Sequence, residues 1–271
     1  MKNNRSLHSL VLLVMALFIH GSLASLGHAE ITLDGTLGPS GPLSGPDFMI
    51  PVEVGRQVGG NLFHSFGVFN VNTGESATFS GPNSVENVLG RVTGGSSSTI
   101  DGLLRSEIPG ANLYLINPAG IMFGPNAQLD VQGSFHASTA DFIRLGENGR
   151  FDAVEPDNSL LTVAPPSAFG FLSENPASIS VQGSSLNIPQ EETLSIVGGD
   201  IQIMGGILSA LDGRINLASV ASTGEINIEN IHLNAFERLG DIEITESSSL
   251  FTTGLQGGNI YVSDQLTAPF R

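Results

Sequence analysis

Five short stretches of this chain obey one rule: a glycine, a polar residue, an isoleucine, a polar or aromatic residue, then an aliphatic one. They are Gly199-Asp200-Ile201-Gln202-Ile203, Gly213-Arg214-Ile215-Asn216-Leu217, Gly224-Glu225-Ile226-Asn227-Ile228, Gly240-Asp241-Ile242-Glu243-Ile244 and Gly258-Asn259-Ile260-Tyr261-Val262. An apolar side chain at every second position is the period of a strand, and it excludes an amphipathic helix. The leading glycines, Gly199, Gly213, Gly224, Gly240 and Gly258, are unevenly spaced. Irregular spacing of regular strands suits a parallel β-helix, in which strands stack coil on coil and insertions go to the corners, with two or three strands and roughly 20 to 30 residues per coil. A β-sandwich or barrel is the competing architecture.

Earlier segments carry the same alternation. Residues 127–134 and 177–184 share a frame that ends in an identical "VQGS", at Val131 to Ser134 and Val181 to Ser184. Inward aliphatic residues are expected to alternate with outward polar ones along each wall. One segment breaks the pattern: Asn148-Gly149 lies between two alternating runs, which is a hairpin signal. An antiparallel hairpin is expected there, outside the helix wall.

The segment from Met1 to Ala29 does not read as part of the fold. Lys2 and Arg5 precede an apolar run from Leu10 to Ile19, and Gly27-His28-Ala29 offers small residues for a signal peptidase. Cleavage between Ala29 and Glu30 would leave roughly 240 residues, enough for one domain with a sizeable core. The apolar run is too short for a membrane span. The whole chain carries a formal charge of −16. Lys2 is its sole lysine. Nucleic acid and anionic bilayers are therefore poor electrostatic partners. Cysteine is absent, which suits a chain that must stay unfolded in an oxidising compartment.

Chemistry-bearing motifs are sparse. His64, His136 and His232 are isolated, without the spacing of a zinc site or the neighbours of a nucleophile elbow. Gly94-Gly95 lacks the lysine of a phosphate loop. Asp200, Glu225, Asp241 and Glu243 lie on repeat strands. Stacked on one outer wall they would recommend a secreted β-helical polysaccharide lyase or glycosidase; scattered, they are solvating surface. No catalytic, cofactor or metal residue is assigned.

The segment "NLYLINPAGIMFGPN" contains a sharp turn, Asn117-Pro118-Ala119-Gly120, between two apolar runs. Asn at the first, Pro at the second and Gly at the fourth position favour a type I β-turn. This turn, followed by Ile121, is one of four elements in a fixed order. The others are Phe69-Asn70-Val71, Arg91-Val92-Thr93-Gly94 and Ala137-Ser138-Thr139. In that order, behind a signal peptide and ahead of strand repeats, they resemble the secretion domain of two-partner secretion exoproteins (TpsA-type), the filamentous haemagglutinin or haemagglutination-activity family.

The resemblance implies an all-β fold, a right-handed parallel β-helix with an amino-terminal cap and an extra-helical hairpin, spanning residues 30–271 and without enzymatic activity. It implies passage through the Sec translocon and recognition by a TpsB-type outer-membrane β-barrel with periplasmic modules. Export to the cell surface or medium of a Gram-negative bacterium follows. Adhesion to host or environmental glycans or receptors would belong to a downstream region. The absence of a closing cap after "QLTAPFR" predicts the leading part of a longer exoprotein, or a truncated relic of one. The residues Asn117 to Ile121 would form the secretion turn, and Phe69 to Val71 with Arg91 to Gly94 a recognition or cap element. The family's turn usually has a second Asn where this chain has Ala119. The separate Asn-Pro-Asn-Leu motif of some members has no clear counterpart.

Overall fold

A computed structural model describes residues Glu30–Ser263; the segment read as a signal, Ala29 included, and residues 264–271 lie outside the described residues. The chain winds into a three-walled solenoid. Its first wall stacks seven parallel strands: Asn61–Phe69, Asn87–Val92, Asn112–Ile116, Phe135–Ser138, Thr193–Gly198, Arg214–Ser219 and Asn259–Ser263. The second wall stacks Ser98–Ile100, Ile121–Phe123, Ile179–Gln182, Ile201–Met204 and Ile242–Thr245. Along the third run Asp47–Ile50, Ser76–Phe79, Leu103–Ser106 and Gln128–Asp130, followed by a separate sheet of Ser185–Asn187, Ile207–Ser209 and Ser249–Phe251. No α-helix occurs among the described residues.

The register gives the coil length directly. Leu62 pairs with Val88, Val88 with Leu113, Leu113 with Phe135 and Leu194 with Ile215, and each of these steps is one coil of the expected length. Two steps are far longer, from Phe135 to Leu194 and from Ile215 to Ile260. In both, the chain leaves the solenoid at the corner between the first and second walls. These excursions supply a four-stranded antiparallel sheet, with Phe142–Leu145 between Gly149–Asp152 and Pro166–Phe171, and Gly224–Asn227 on the far side of the latter.

The expected hairpin is therefore present and extra-helical. Its turn falls earlier than the Asn148-Gly149 signal suggests. Leu145 pairs with Gly149, and Gly146 takes the positive φ, +57°.

The five glycine-led units do not form a single column. Those at Gly199 and Gly240 open paired strands of the second wall, those at Gly213 and Gly258 open paired strands of the first, and that at Gly224 belongs to the extra-helical sheet. The solenoid members share a motif because corners are crowded. A Cβ on Gly213 would lie 2.0 Å from the Glu192 carbonyl oxygen of the preceding coil. The two "VQGS" tetrapeptides also part company. Val181 and Gln182 end a second-wall strand, whereas Val131 to Ser134 connect the third wall to the first.

Two cores hold the structure. The lumen is filled by stacked side chains such as Leu62, Val88, Leu113, Phe135, Leu194 and Ile215, all fully buried. A second core lies outside it, between the outer face of the first wall and the antiparallel sheet, and includes Phe63, Leu89, Ile116, Ile143, Phe151 and Phe169. The expected alternation of apolar-in and polar-out therefore fails on the first wall, where the outward residues are buried too. At ~25 cal/mol per Å2 of apolar surface removed from water, this second layer adds several kcal/mol of gross stabilisation.

The amino terminus closes the stack. Ile31–Asp34 runs antiparallel to Asn61–Phe69 and is itself flanked by Ser40–Pro42, while Arg56–Val58 pairs antiparallel with the same first-coil strand. Unpaired edge groups of the first coil are thereby covered.

Candidate functional site

The Asn117–Gly120 turn sits at the corner between the first and second walls, in the coil just before the first excursion. It is a β-turn, since the Gly120 N–H donates to the Asn117 carbonyl at 3.0 Å. The Asn117 side chain is wholly buried. Its Oδ1 accepts from the Ala119 N–H at 2.9 Å, while its amide nitrogen donates to the Ser96 carbonyl at 3.0 Å and to the Ser98 hydroxyl at 2.9 Å. Ser96 and Ser98 belong to the preceding coil. On the other side, the Asn117 N–H donates to the Ser138 carbonyl of the next coil at 2.9 Å, and the Ile121 N–H to the Ser178 carbonyl at 3.3 Å.

The turn is thus sandwiched, and Asn117 rivets three successive coils. Ser138 and Thr139 of the Ala-Ser-Thr element are part of this sandwich, with the Thr139 hydroxyl donating to the Ala177 carbonyl at 2.7 Å. Pro118 and Ala119 are half-buried. Every side-chain hydrogen bond in the turn belongs to Asn117, and position 119 contributes only its backbone N–H, so Ala is accommodated there.

A second cluster forms around Arg91, whose side chain is fully buried. Its Nε donates to the Ser65 hydroxyl at 2.7 Å, Nη2 to the Thr36 hydroxyl at 2.9 Å, and Nη1 to the Ser159 hydroxyl at 2.7 Å and to the Asp152 carbonyl. The guanidinium carbon lies 4.6 Å from the centroid of the Phe151 ring. One side chain therefore joins the amino-terminal cap, the first coil and the extra-helical excursion. Arginine suits this task because its planar fork offers five donors and stays charged. Burial pulls its pKa down to about 10, with Asp34, Asp152 and Asp157 acting the other way.

Asp34 completes the cluster. Ser65 donates to its Oδ2 at 2.6 Å, the Thr93 hydroxyl lies 2.8 Å from the same oxygen, and Thr36 donates to Oδ1 from both backbone and side chain at 2.9 Å. Burial raises the Asp34 pKa, but these bonds from Ser65, Thr36 and Thr93 outweigh it and hold the group below its ordinary value.

The remaining motif residues are structural in the same sense. Phe69 and Val92 point into the lumen core. Asn70 Oδ1 accepts from the Thr99 N–H at 2.8 Å, and Val71 bridges to Ile100. A Cβ on Gly94 would stand 1.9 Å from the Gly67 carbonyl oxygen, so only glycine fits. Glu30 is exposed, and its carbonyl accepts from the Asn70 N–H at 3.0 Å. The structure brings Arg91 and Thr93 together with Asp34, Thr36, Ser65, Asp152 and Ser159, which sequence reading did not single out. Nothing local marks those five, because each is at least one full coil away from Arg91 along the chain.

Two buried histidines complete the picture. His64 lies in the lumen 5.4 Å from the Phe79 ring centroid, and His136 stacks on Tyr114 at 4.4 Å. Burial holds both imidazoles down at about 3, against a smaller upward pull on His64 from the Val54 backbone. His232 is exposed. Of the four carboxylates considered as a catalytic wall, three lie on the second wall and the fourth does not. Asp200 and Asp241 open stacked second-wall strands, with the Asp241 N–H donating to Asp200 Oδ1 at 3.0 Å, and Glu243 pairs in register with Gln202. Glu225 lies on the extra-helical sheet in an ion pair with Arg144.

The geometry defines a capped β-helix with its insertions at one corner, and its overall fold is shared by a solved structure. The crystal structure of the HMW1 secretion domain from Haemophilus influenzae superposes with a TM-score of 0.51 at 21% identity, over 79% of this chain and 48% of that one. The profile of the TPS secretion domain matches residues 29–265, and the chain belongs to that family. The haem/hemopexin-binding protein of Haemophilus influenzae is 35% identical over 81 residues, 30% of this chain and 8% of that protein. The chain thus spans less than half the length of either relative. The family is a secretion module of two-partner secretion exoproteins and not a class of enzymes, and membership implies a TpsB-type transporter as partner. Exoproteins of this family are secreted across the outer membrane.

Proposed function

We propose that this chain directs its own export and that of sequence downstream of it, with Asn117 to Ile121 as the secretion turn. The observation that carries the reading is the burial of Asn117 between two neighbouring coils. A turn so enclosed acts by setting the shape of the corner and the stacking of coils around it. Phe69 to Val71 and Arg91 to Gly94 work in the same way at the amino-terminal end. They organise the cap and first coils, which emerge first.

In this reading residues 1–29 are a signal removed between Ala29 and Glu30, the Sec translocon delivers the chain to the periplasm, and the periplasmic modules of a TpsB-type barrel receive it unfolded. Folding outside the cell then proceeds coil by coil, each new coil burying apolar surface on the last. No nucleotide is needed. Residues 30–271 form the secretion domain and lead a longer exoprotein that acts at the cell surface, where downstream sequence adheres to host or environmental glycans or receptors.

The test is secretion with and without the candidate barrel, for the native chain and for Asn117→Ala/Pro118→Ala. The native product should reach the medium only with the barrel present. The variant should be retained, and its refolding in vitro separates a defect in recognition from a defect in folding. Release of the native chain without any barrel overturns the reading.

A further inference from the structure

The walls of the solenoid carry no direction, because an inner parallel strand exchanges hydrogen bonds with both of its neighbours. Side-chain bonds at and beside the corners do carry one. Where a backbone N–H of one coil meets a side-chain oxygen of another, the donor tends to lie in the later coil and the acceptor in the earlier. The Thr99 N–H donates to Asn70 Oδ1 at 2.8 Å, the Ser134 N–H to Asn112 Oδ1 at 3.0 Å, the Thr193 N–H to the Ser134 hydroxyl at 2.9 Å and the Asp241 N–H to Asp200 Oδ1 at 3.0 Å. The opposite polarity occurs at Gly206, whose N–H donates to the Ser248 hydroxyl at 3.2 Å.

Two carboxylates extend this polarity over three coils. At the corner between the second and third walls, the Thr73 hydroxyl of the coil before donates to Asp101 Oδ2. From the coil after, the Asn126 N–H donates to Oδ1 at 2.8 Å and its side-chain amide to Oδ2 at 3.1 Å. At the corner between the third and first walls, Gln190 Nε2 of the coil before donates to Asp212 Oδ2 at 2.7 Å. From the coil after, the N–H groups of Leu255, Gln256 and Gly257 close on the same carboxylate at 3.0, 2.7 and 2.8 Å. Three consecutive N–H groups around one carboxylate form a nest for an anion. The incoming coil is also cut back to fit. A Cβ on Gly124 would lie 2.3 Å from Asp101 Oδ1, and one on Gly254 2.2 Å from Asp212 Oδ2.

Among the described residues neither carboxylate enters an ion pair, so their oxygens are kept for these donors. Desolvation pushes both pKa values up, but the bonds from Thr73 and Asn126 at Asp101, and from Gln256, Gly257, Leu255 and Gln190 at Asp212, outweigh it and hold both below the ordinary carboxylate value. In a coil that has just formed, each carboxylate is already aimed by the coil before, while the acceptor positions facing the next coil are still empty. A charged acceptor binds an N–H more strongly than a neutral one, and pinning the corner first shortens the loop that each wall strand must close. We propose that Asp101 and Asp212 are positioning residues for folding, templates that capture the incoming coil at its corner before its strands zip onto the walls. This rests on the coil-by-coil folding proposed above and gives it a direction, from the amino-terminal cap outward.

The experiment is a set of urea jumps on the purified full chain, with refolding and unfolding rates followed by circular dichroism. Asp101→Ala and Asp212→Gly remove the two acceptors, glycine being chosen at 212 because the backbone there has φ +56°. Each should slow refolding about fivefold and leave unfolding nearly unchanged, as for a contact already made in the transition state. Asp101→Asn and Asp212→Asn keep an acceptor oxygen and should recover most of the rate. Ser248→Ala, which removes the bond of opposite polarity, should instead speed unfolding and leave refolding alone. If Asp101→Ala and Asp212→Gly refold at the native rate and merely unfold faster, the carboxylates clamp a finished corner and the proposal falls. These rates involve no transporter, so that result would leave the barrel-dependence test standing, and release without a barrel would leave these rates as they are.

Discussion

Arg91 is the residue on which most of the substructures converge. Removing its side chain strands Asp34 and leaves acceptor sites on the cap, first coil and excursion without their common partner. Arg91→Met should cost about 3–5 kcal/mol of stability, because breaking a buried, hydrogen-bonded charge cluster leaves an uncompensated charge behind. Denaturant unfolding monitored by circular dichroism measures this directly. Arg91→Lys should recover only part of the loss, since a single ammonium cannot reach Ser65, Thr36, Ser159 and the Asp152 carbonyl together.

The buried histidines make a separate prediction. Their ordinary pKa of 6.5 falls to about 3 in the folded chain, so the unfolded state binds more protons between these values. Stability should therefore be full above pH 6.5 and decline as pH drops toward 3, with an uptake approaching two protons on unfolding. Urea midpoints from pH 7 to pH 4 test the sign. The double variant His64→Gln/His136→Gln should show a flatter profile.

At the scale of elements, the extra-helical sheet is half of a core and not an ornament. Phe151 lies between the Phe63 ring, 5.0 Å away, and the Arg91 guanidinium. Phe151→Ala should cost about 3–5 kcal/mol by the usual measure of a large-to-small change at a buried site. Replacing residues 141–172 by a short turn should leave the lumen core intact but uncover Phe63, Leu89, Tyr114 and Ile116. Dye binding and self-association, measured by fluorescence and light scattering, should both increase.

The same layer marks where sequence reading stops. Strand period and glycine punctuation made the solenoid legible, and Asn148-Gly149 betrayed the hairpin. The second core was not legible, because Phe63, Leu89 and Ile116 look like ordinary members of apolar runs. Only the return of Phe151 and Phe169 in three dimensions tells their outward faces from inward ones. The repeat at Gly224 misled for a related reason: an extra-helical strand and a wall strand obey the same alternation. At the site, Asn117 and Arg91 were visible as motif members, but Asp34, Ser65 and Ser159 are defined only by stacking.

Across the whole molecule, the described residues are covered at one end and exposed at the other. The amino-terminal strands cover the first coil, whereas the last described strands leave Phe251, Ile260, Tyr261 and Val262 at 41–48% exposure. Hydrogen exchange should follow this gradient, slow for the amides of Val88, Leu113 and Leu194 in the central coils and fast for those of Ile242–Ser263. A uniform exchange rate from end to end would mean the solenoid opens as a single cooperative unit.

Both departures from the winding occur at one corner, between the first and second walls, and the pairing resumes in register after each. A gene coding for such a rod can therefore lengthen at that corner by whole passages while the rest of the winding stays unedited. A deletion of one residue inside a wall strand would instead turn every following side chain of that strand to the opposite face. The exposed stretch Gly95 to Ser97 occupies the same corner two coils before the first departure. Its Ser96 carbonyl accepts from the Asn117 amide, so a foreign epitope spliced there would have to leave that rivet in place to travel on the outside of the secreted rod.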